Sequence, residues 1–234
     1  GAYLSNFAPF IPTLAAIKVM PGVYDIKSLY ARVRGVFTHT VPVDAYRGAG
    51  RPESIYMIER LMDKAAQELG IDRIQLRRKN FISSKTMPFT TTADETYDSG
   101  DFDRVINMVT ERSNWQTFGD RRAKAKDLGR RRGIGLCYYI ESTMGDPGEA
   151  AEVRFEPDGT VSLLVGTQSN GQGHETAYAQ VASDRLGVPI GEIRIVQGDT
   201  DLVATGGGTG GSRSLTAQAT AIDAAADLVI ERGK

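Results

Sequence analysis

Residues 161–186, which read VSLLVGTQSNGQGHETAYAQVASDRL, indicate the fold class of the chain most clearly. Residues 161–166 form a short apolar run, which predicts a buried strand. Residues 174–186 place apolar side chains on one face and predict a helix. Between them lies a loop with three glycines, residues 166–174, which we call the first glycine loop. A strand, a glycine loop and a helix in direct succession predict a layer in which helices cover a sheet.

The elements on either side extend this layer. Further strands are predicted at residues 133–142, 149–156 and 193–196. Pro157-Asp158-Gly159 predicts a hairpin turn between two of the strands. A second glycine loop, residues 206–214, reads GGGTGGSRS and holds five glycines within six positions. An alanine-rich helix is predicted to begin at Ser214, so both glycine loops lead directly into a helix.

The first half of the chain is predicted to be more helical. Pro52 and Gly70 bound one helix, because proline suits a first turn and glycine often ends a helix. Asp72 is the expected cap of a second, shorter helix. Residues 101–118 predict a third helix, and the alternating side chains of residues 29–38 predict a strand.

Residues 121–132 are strongly basic, with Asp127 as the single acidic side chain. Two interpretations are open, a phosphate-binding patch and a solvated linker helix, and the lack of interleaved aromatic residues favours the linker. We therefore predict a first segment over residues 1–82, a helical and irregular connector over 83–132, and a second segment over 133–234. The predicted fold class is α/β (α+β), with two subdomains of mixed sheets covered by helices.

Composition excludes several classes of protein. The chain has 234 residues, with 28 Lys+Arg against 29 Asp+Glu, so a general affinity for nucleic acid is not expected. One cysteine and two histidines cannot build a Cys/His zinc site or an internal disulfide, and a lone cysteine favours a reducing, cytoplasmic location. No apolar run approaches the roughly 18 residues that a membrane span requires.

The glycine loops suggest an anionic ligand. Glycine lacks a Cβ, so its backbone N–H can approach a ligand, and the unpaired N–H groups at a helix start favour phosphate. Two such loops would suit both ends of an extended phosphorylated cofactor. The alternative is that they are tight turns or a hinge. Ordinary NAD or ATP binding is disfavoured, because residues 171–176 lack the third glycine of the dinucleotide motif and no lysine follows Gly211.

Three further sites have two interpretations each. His174 either orients a ligand and shuttles a proton, or bonds a local backbone group at the helix start. Cys137 is interpreted as a buried apolar residue rather than a nucleophile, because no residue next to it in the sequence would activate its thiol. Asp199 and Asp201 are interpreted as a turn cap rather than a metal pair.

Five motifs, in their order and spacing, resemble the molybdenum-binding large subunits of the xanthine oxidase, aldehyde oxidase and carbon monoxide dehydrogenase family. They are Ala45-Tyr46-Arg47-Gly48-Ala49-Gly50-Arg51-Pro52-Glu53, Leu76-Arg77-Arg78-Lys79-Asn80-Phe81, Gly171-Gln172-Gly173-His174-Glu175-Thr176, Gln197-Gly198-Asp199-Thr200-Asp201 and Gly208-Thr209-Gly210-Gly211-Ser212-Arg213-Ser214. The resemblance implies a molybdopterin-binding domain of the molybdenum hydroxylase type, with residues 1–82 and 133–234 as its two molybdopterin-binding segments.

The cofactor that the resemblance implies is molybdopterin with molybdenum, in its cytosine dinucleotide form. Its dithiolene sulfurs hold the metal, so the protein supplies no metal ligand. Arg47 is expected beside the metal end, and Arg47 and Gln172 are the implied catalytic residues. Gly171 and Gln172 are expected to hydrogen-bond the pterin. The full set of implied cofactor-binding residues is Arg47, Gly171, Gln172, Gly173, His174, Gly210, Gly211, Ser212 and Ser214.

The reaction implied is the oxidative hydroxylation of a small molecule, with water as the oxygen source. Electrons would leave through iron–sulfur and FAD groups on partner domains or subunits, and the partner chain is the rest of the same large subunit or a split chain. The family's catalytic glutamate is expected beyond residue 234, so the chain alone is expected to be inactive. The alternatives are a non-catalytic or split-chain module for pterin binding or assembly, and loops that bind an unrelated nucleotide.

The substrate is expected to meet the short loop after Arg47, formed by Gly48, Ala49 and Gly50. Copper-containing carbon monoxide dehydrogenases are expected to carry a cysteine within this loop. Soft Cu(I) prefers a thiolate ligand, and the loop offers none, so no copper is predicted. The implied substrates are aldehydes, N-heterocycles or other small organic molecules.

Overall fold

The computed structural model describes residues 1–143 and 148–234. The chain divides into two compact units, Gly1–Glu141 and Ser142–Lys234, and each is described by itself. The predicted division into segments 1–82, 83–132 and 133–234 stays a prediction. Among the described residues, no helix combines the length and the apolar character that crossing a membrane requires.

The first unit is mainly helical. Its longer helices are α1 (Arg51–Leu69), α2 (Arg73–Asn80), α3 (Phe102–Arg112) and α4 (Phe118–Asp127). Short helical turns occupy Ile11–Ala15, Ala16–Lys18, Ser84–Thr86 and Trp115–Thr117, and a two-stranded antiparallel pair joins β1 (Phe89–Thr90) to β2 (Thr96–Tyr97).

Local sequence signals place the first two helices as predicted. Gly70 adopts φ of 64° and ends α1, and its N–H bonds the carbonyl groups of the last turn. Asp72 caps α2, because its side chain accepts hydrogen bonds from the N–H groups of Ile74 and Gln75 at 2.9 and 3.0 Å. The predicted helix over 101–118 is interrupted after Arg112, where Asn114 has φ of 49°.

An aromatic cluster forms much of the core of the first unit. Tyr24 and Tyr138 are buried next to Phe81, with ring centroids 6.0 and 5.1 Å from that of Phe81. Ile74 from α2 and Ile106 from α3 pack against this cluster. The core therefore fixes α2 and α3 relative to the segment that contains Tyr138.

Two of the predicted strands are wrong. Residues 29–38 form no regular strand and are mostly exposed. Residues 133–142 form no strand either. The alternation of their side chains is nevertheless present in the structure, since Leu136 and Tyr138 pack in the core. The carbonyl oxygens of Ile134 and Leu136 accept hydrogen bonds from arginine side chains at 3.4 and 3.5 Å rather than from a neighbouring strand. Cys137, between Leu136 and Tyr138, is exposed, so its interpretation as a buried residue is wrong.

The second unit contains a three-stranded mixed sheet with helices against it. The strands β3 (Ala151–Phe155) and β4 (Val161–Val165) pair antiparallel, and β4 pairs parallel with β5 (Ile193–Val196). The helix α5 (His174–Leu186) connects β4 to β5, and α6 (Ser214–Arg232) follows the second glycine loop. This confirms the α/β class, and the strands and helices here lie close to their predicted bounds.

The sheet is covered because its central strand is apolar. Every residue of β4 is buried, and Leu163 and Val165 pack against Tyr178 of α5 and Ile222 of α6. Both glycine loops are therefore anchored on the same core, one directly after β4 and the other directly before α6.

Candidate functional site

The two glycine loops meet backbone to backbone. A Cβ atom added to Gly166 would lie 2.4 Å from the Cα of Gly206, and one added to Gly206 would lie 2.3 Å from the Cα of Gly166. The N–H of Gly208 donates to the carbonyl of Gly166 at 3.3 Å. Side chains are excluded from this crossing, which explains glycine at both positions.

The first glycine loop turns sharply before α5. Gly171 has φ of 91° and Gly173 has φ of 79°, a conformation that favours glycine. The N–H of Ser169 donates to the side-chain carbonyl of Gln197 at 2.8 Å, which ties the loop to the end of β5. The side-chain oxygen of Gln172 accepts from the N–H of Asn170. Gly171, Gln172 and Gly173 are exposed at the start of the helix.

His174 faces inward. Its side chain is 4% exposed, and Nδ1 lies 3.3 Å from the carbonyl oxygen of Thr167. Its ring centroid lies 4.7 Å from that of Tyr178. The contact between the His174 ring and the Thr167 backbone is therefore present, as one of the two interpretations of His174 expected. A contact between His174 and a cofactor stays a prediction.

A buried polar network supports the first glycine loop. Thr167 is fully buried, and its hydroxyl lies 2.7 Å from the Tyr178 hydroxyl and 3.0 Å from the side-chain oxygen of Gln218. The Gln218 amide donates in turn to the carbonyl of Ala150 at 2.8 Å. Because buried polar groups need partners, this network fixes the loop to both helices. The sequence gives one faint signal for it, a glutamine on the apolar face of α6.

An ion pair supports the second glycine loop. The carboxylate of Glu149 is fully buried and lies 2.6 Å from a guanidinium nitrogen of Arg213. Its other oxygen accepts from the N–H of Gly207 at 3.1 Å, and Arg213 also donates to the carbonyl of Gly208 at 3.3 Å. Sequence reasoning missed Glu149, because nothing local links it to a loop that follows some 60 residues later.

The second glycine loop ends in an exposed, strained turn. Gly211 has φ of 67° and Ser212 has φ of 56°, which is uncommon for a residue with a side chain. Gly210, Gly211 and Ser212 are exposed, and Ser214 is the first residue of α6. The Ser214 hydroxyl lies 3.4 Å from that of Thr209. The loop therefore presents amide and hydroxyl groups at the positive end of a long helix.

This arrangement fits an extended anionic group. Both loops place exposed residues directly before a helix start, where phosphate binds readily. The buried carboxylate of Glu149, which contacts the second glycine loop, is paired with the guanidinium of Arg213, so its negative charge is offset. In the part of the chain that the structure describes, no three His, Cys, Asp or Glu side chains are grouped to hold a metal ion.

The Arg47 loop, residues 47–50, lies in the first unit. Gly48 and Gly50 have φ of 85° and 87°, and a Cβ at Gly50 would lie 2.7 Å from the backbone N of Ala16. Arg47 itself is exposed. Arg51, which sequence reasoning did not single out as a site residue, is buried directly after the loop.

Comparisons with known proteins identify the family to which the chain is similar. Two family models, both described as molybdopterin cofactor-binding domain, match residues 1–81 and 108–234. The carbon monoxide dehydrogenase large chain of Hydrogenophaga pseudoflava is 34% identical over 229 residues, covering 89% of this chain and 28% of that protein.

Two solved structures are similar as well. Quinoline 2-oxidoreductase from Pseudomonas putida 86 has a TM-score of 0.84 at 31% identity, covering 95% of this chain and 30% of that one. A Cu,Mo-CO dehydrogenase in its carbon monoxide reduced state has a TM-score of 0.79 at 32% identity, covering 92% and 30%. The chain thus spans less than a third of the length of these relatives. It belongs to the molybdopterin cofactor-binding domain family of the molybdenum hydroxylases.

Proposed function

We propose that the chain forms part of the molybdopterin-binding surface in the catalytic subunit of a molybdenum hydroxylase. The observation that carries the proposal is the contact between Gly166 and Gly206, which joins two amide-rich loops into one continuous surface. A pair of separate turns would not require this approach. The two helix starts supply the partial positive charge that a phosphorylated cofactor needs.

In this proposal the cofactor supplies the redox chemistry and the protein supplies binding and orientation. Gly171, Gln172 and Gly173 donate hydrogen bonds from the first glycine loop. Gly210, Gly211, Ser212 and Ser214 supply the amide and hydroxyl donors of the second. The cytosine dinucleotide form, the placement of Arg47 at the metal end and the catalytic role of Gln172 are further parts of the proposal.

The proposed substrate is a small organic molecule, either an aldehyde or an N-heterocycle, rather than carbon monoxide. The support is chemical, since Gly48, Ala49 and Gly50 offer no thiolate for copper. One similar structure is described as a quinoline oxidoreductase and another as a copper-containing carbon monoxide dehydrogenase, so similarity alone favours neither substrate class. The proposed partners are iron–sulfur and FAD proteins together with the remainder of a large subunit, and the proposed location is the cytoplasm.

Metal and pterin analysis tests the proposal. We expect the protein, purified from its native host with the chains that accompany it, to contain about one molybdenum per copy. Acid hydrolysis should release one cytosine nucleotide, and iodine oxidation should give a fluorescent pterin. Copper should be substoichiometric. A preparation that contains a nucleotide but neither molybdenum nor pterin would refute the proposal and favour an unrelated nucleotide.

A further inference from the structure

A buried arginine holds the Arg47 loop from below. The side chain of Arg51 is 4% exposed, and its Nη1 donates to the carbonyl of Ala49 at 3.1 Å. Its Nε lies 2.9 Å from Oε1 of Glu141. A buried guanidinium needs such a partner, because an unpaired buried charge is costly. Glu141 therefore fixes Arg51, and Arg51 fixes a peptide of the loop.

Tyr139 extends this chain of contacts to Gly48. Its hydroxyl donates to Oε2 of Glu141 at 3.1 Å, and burial together with the Glu141 carboxylate raises the pKa of Tyr139 to about 12. The hydroxyl is therefore protonated near neutral pH. The same oxygen lies 2.9 Å from the position that a Cβ atom on Gly48 would occupy.

Position 48 thus disfavours a side chain for two independent reasons. Its φ of 85° favours glycine, and the tethered Tyr139 hydroxyl fills the adjacent space. Tyr139 is 49% exposed, so its tip is held at this position by the hydrogen bond to Glu141, whose carboxylate is itself paired with Arg51.

We infer that Arg51, Glu141 and Tyr139 are positioning residues of the Arg47 loop. In this inference Tyr139 determines specificity, because its hydroxyl closes position 48 to any side chain, including a metal-binding thiol. The inference rests on the proposed function, which places this loop beside the metal end of the cofactor. It gives a structural reason why position 48 carries no thiol that could bind copper. Arg51 fixes the loop backbone through its hydrogen bond to the Ala49 carbonyl, and the Tyr139 hydroxyl fills the space next to Gly48.

A double-mutant cycle tests the contact without reference to activity. We expect Gly48→Ala to lower the Tm of the purified protein by about 6 °C, through backbone strain and the clash with Tyr139. In a Tyr139→Phe background the same change should lower the Tm by only about 3 °C, because the clashing oxygen is gone and the strain remains. Tyr30→Phe, at an exposed tyrosine of the same unit, should leave the loss at 6 °C. Equal losses in all three backgrounds would overturn the inference.

A spectroscopic readout tests the link to the site. We expect Tyr139→Phe and Glu141→Gln to change the Mo(V) EPR spectrum of the dithionite-reduced holoenzyme at unchanged molybdenum content. Tyr30→Phe should not change it. An unaltered spectrum in both variants would overturn the positioning role even if the thermal cycle shows coupling. Absence of molybdenum from the wild-type protein would instead refute the proposed function, while the thermal cycle would still report the Tyr139–Gly48 contact.

Discussion

Replacing Gly206 with alanine is expected to remove the cofactor from the protein almost completely. The new Cβ would lie 2.3 Å from the Cα of Gly166 and 2.5 Å from its carbonyl oxygen. Both are backbone atoms at the end of a fully buried strand, so neither can rotate away as a flexible side chain would. The two glycine loops must therefore separate.

Separation should affect binding far more than folding. The sheet and both helices are held by the core around Leu163 and Ile222, and neither Gly166 nor Gly206 is part of that core. The hydrogen-bond donors of the two loops could then no longer bind the same cofactor at the same time. Misplacement of binding groups by about 1 Å strongly weakens function in preorganised sites. We expect molybdenum content to fall below about a tenth of the wild-type value with an unchanged far-UV circular dichroism spectrum.

A matched control is available in the same unit. A Cβ at Gly191 would contact nothing within 4 Å, so Gly191→Ala should retain full molybdenum content. Gly166→Ala should reproduce the loss seen with Gly206→Ala, since the clash is reciprocal. Full cofactor content in Gly206→Ala would show that the crossing of the loops is not needed for binding.

The extent to which sequence predicted these features depends on how local each signal is. The cap at Asp72 and the stop at Gly70 act within a few residues, and both are where the pattern placed them. The strand, loop and helix of residues 161–186 have the same local character. The crossing of Gly166 with Gly206 joins residues 40 positions apart, and no pattern in the chain encodes that pairing.

The errors have a physical cause as well. Alternating side chains report which positions face the core, and residues 133–142 do alternate, with Leu136 and Tyr138 inward. A strand also needs a neighbour to satisfy its backbone, and here Arg73 and Arg77 take that place for two of the carbonyl groups. Sequence reasoning likewise missed Glu149 and Glu141. Their ion-pair partners, Arg213 and Arg51, lie far away in the sequence, and the residues around a carboxylate do not reveal such a partner.

Replacing Arg77 with methionine is expected to lower the free energy of unfolding of the first unit by about 3–5 kcal/mol, the usual cost of leaving a buried charge without its partner. Arg77 is fully buried, and its guanidinium contacts Glu59 at 2.9 Å and Asp63 at 2.9 Å. The Glu59 carboxylate, 5% exposed, also accepts a hydrogen bond from the Tyr24 hydroxyl. Without Arg77 this carboxylate remains buried but has lost its guanidinium partner.

Urea unfolding followed by tryptophan fluorescence measures this loss directly, because Trp115 is the only tryptophan and lies in the first unit. Arg78→Met is the matched control. Arg78 neighbours Arg77 on the same helix but pairs with the exposed Asp103, and surface pairs contribute about 0–1 kcal/mol. Glu59→Met combined with Arg77→Met should recover much of the stability, since apolar replacement of both partners leaves no buried charge. A loss of less than about 1 kcal/mol for Arg77→Met alone, similar to the expected cost of a surface pair, would show that the buried cluster does not stabilise the unit.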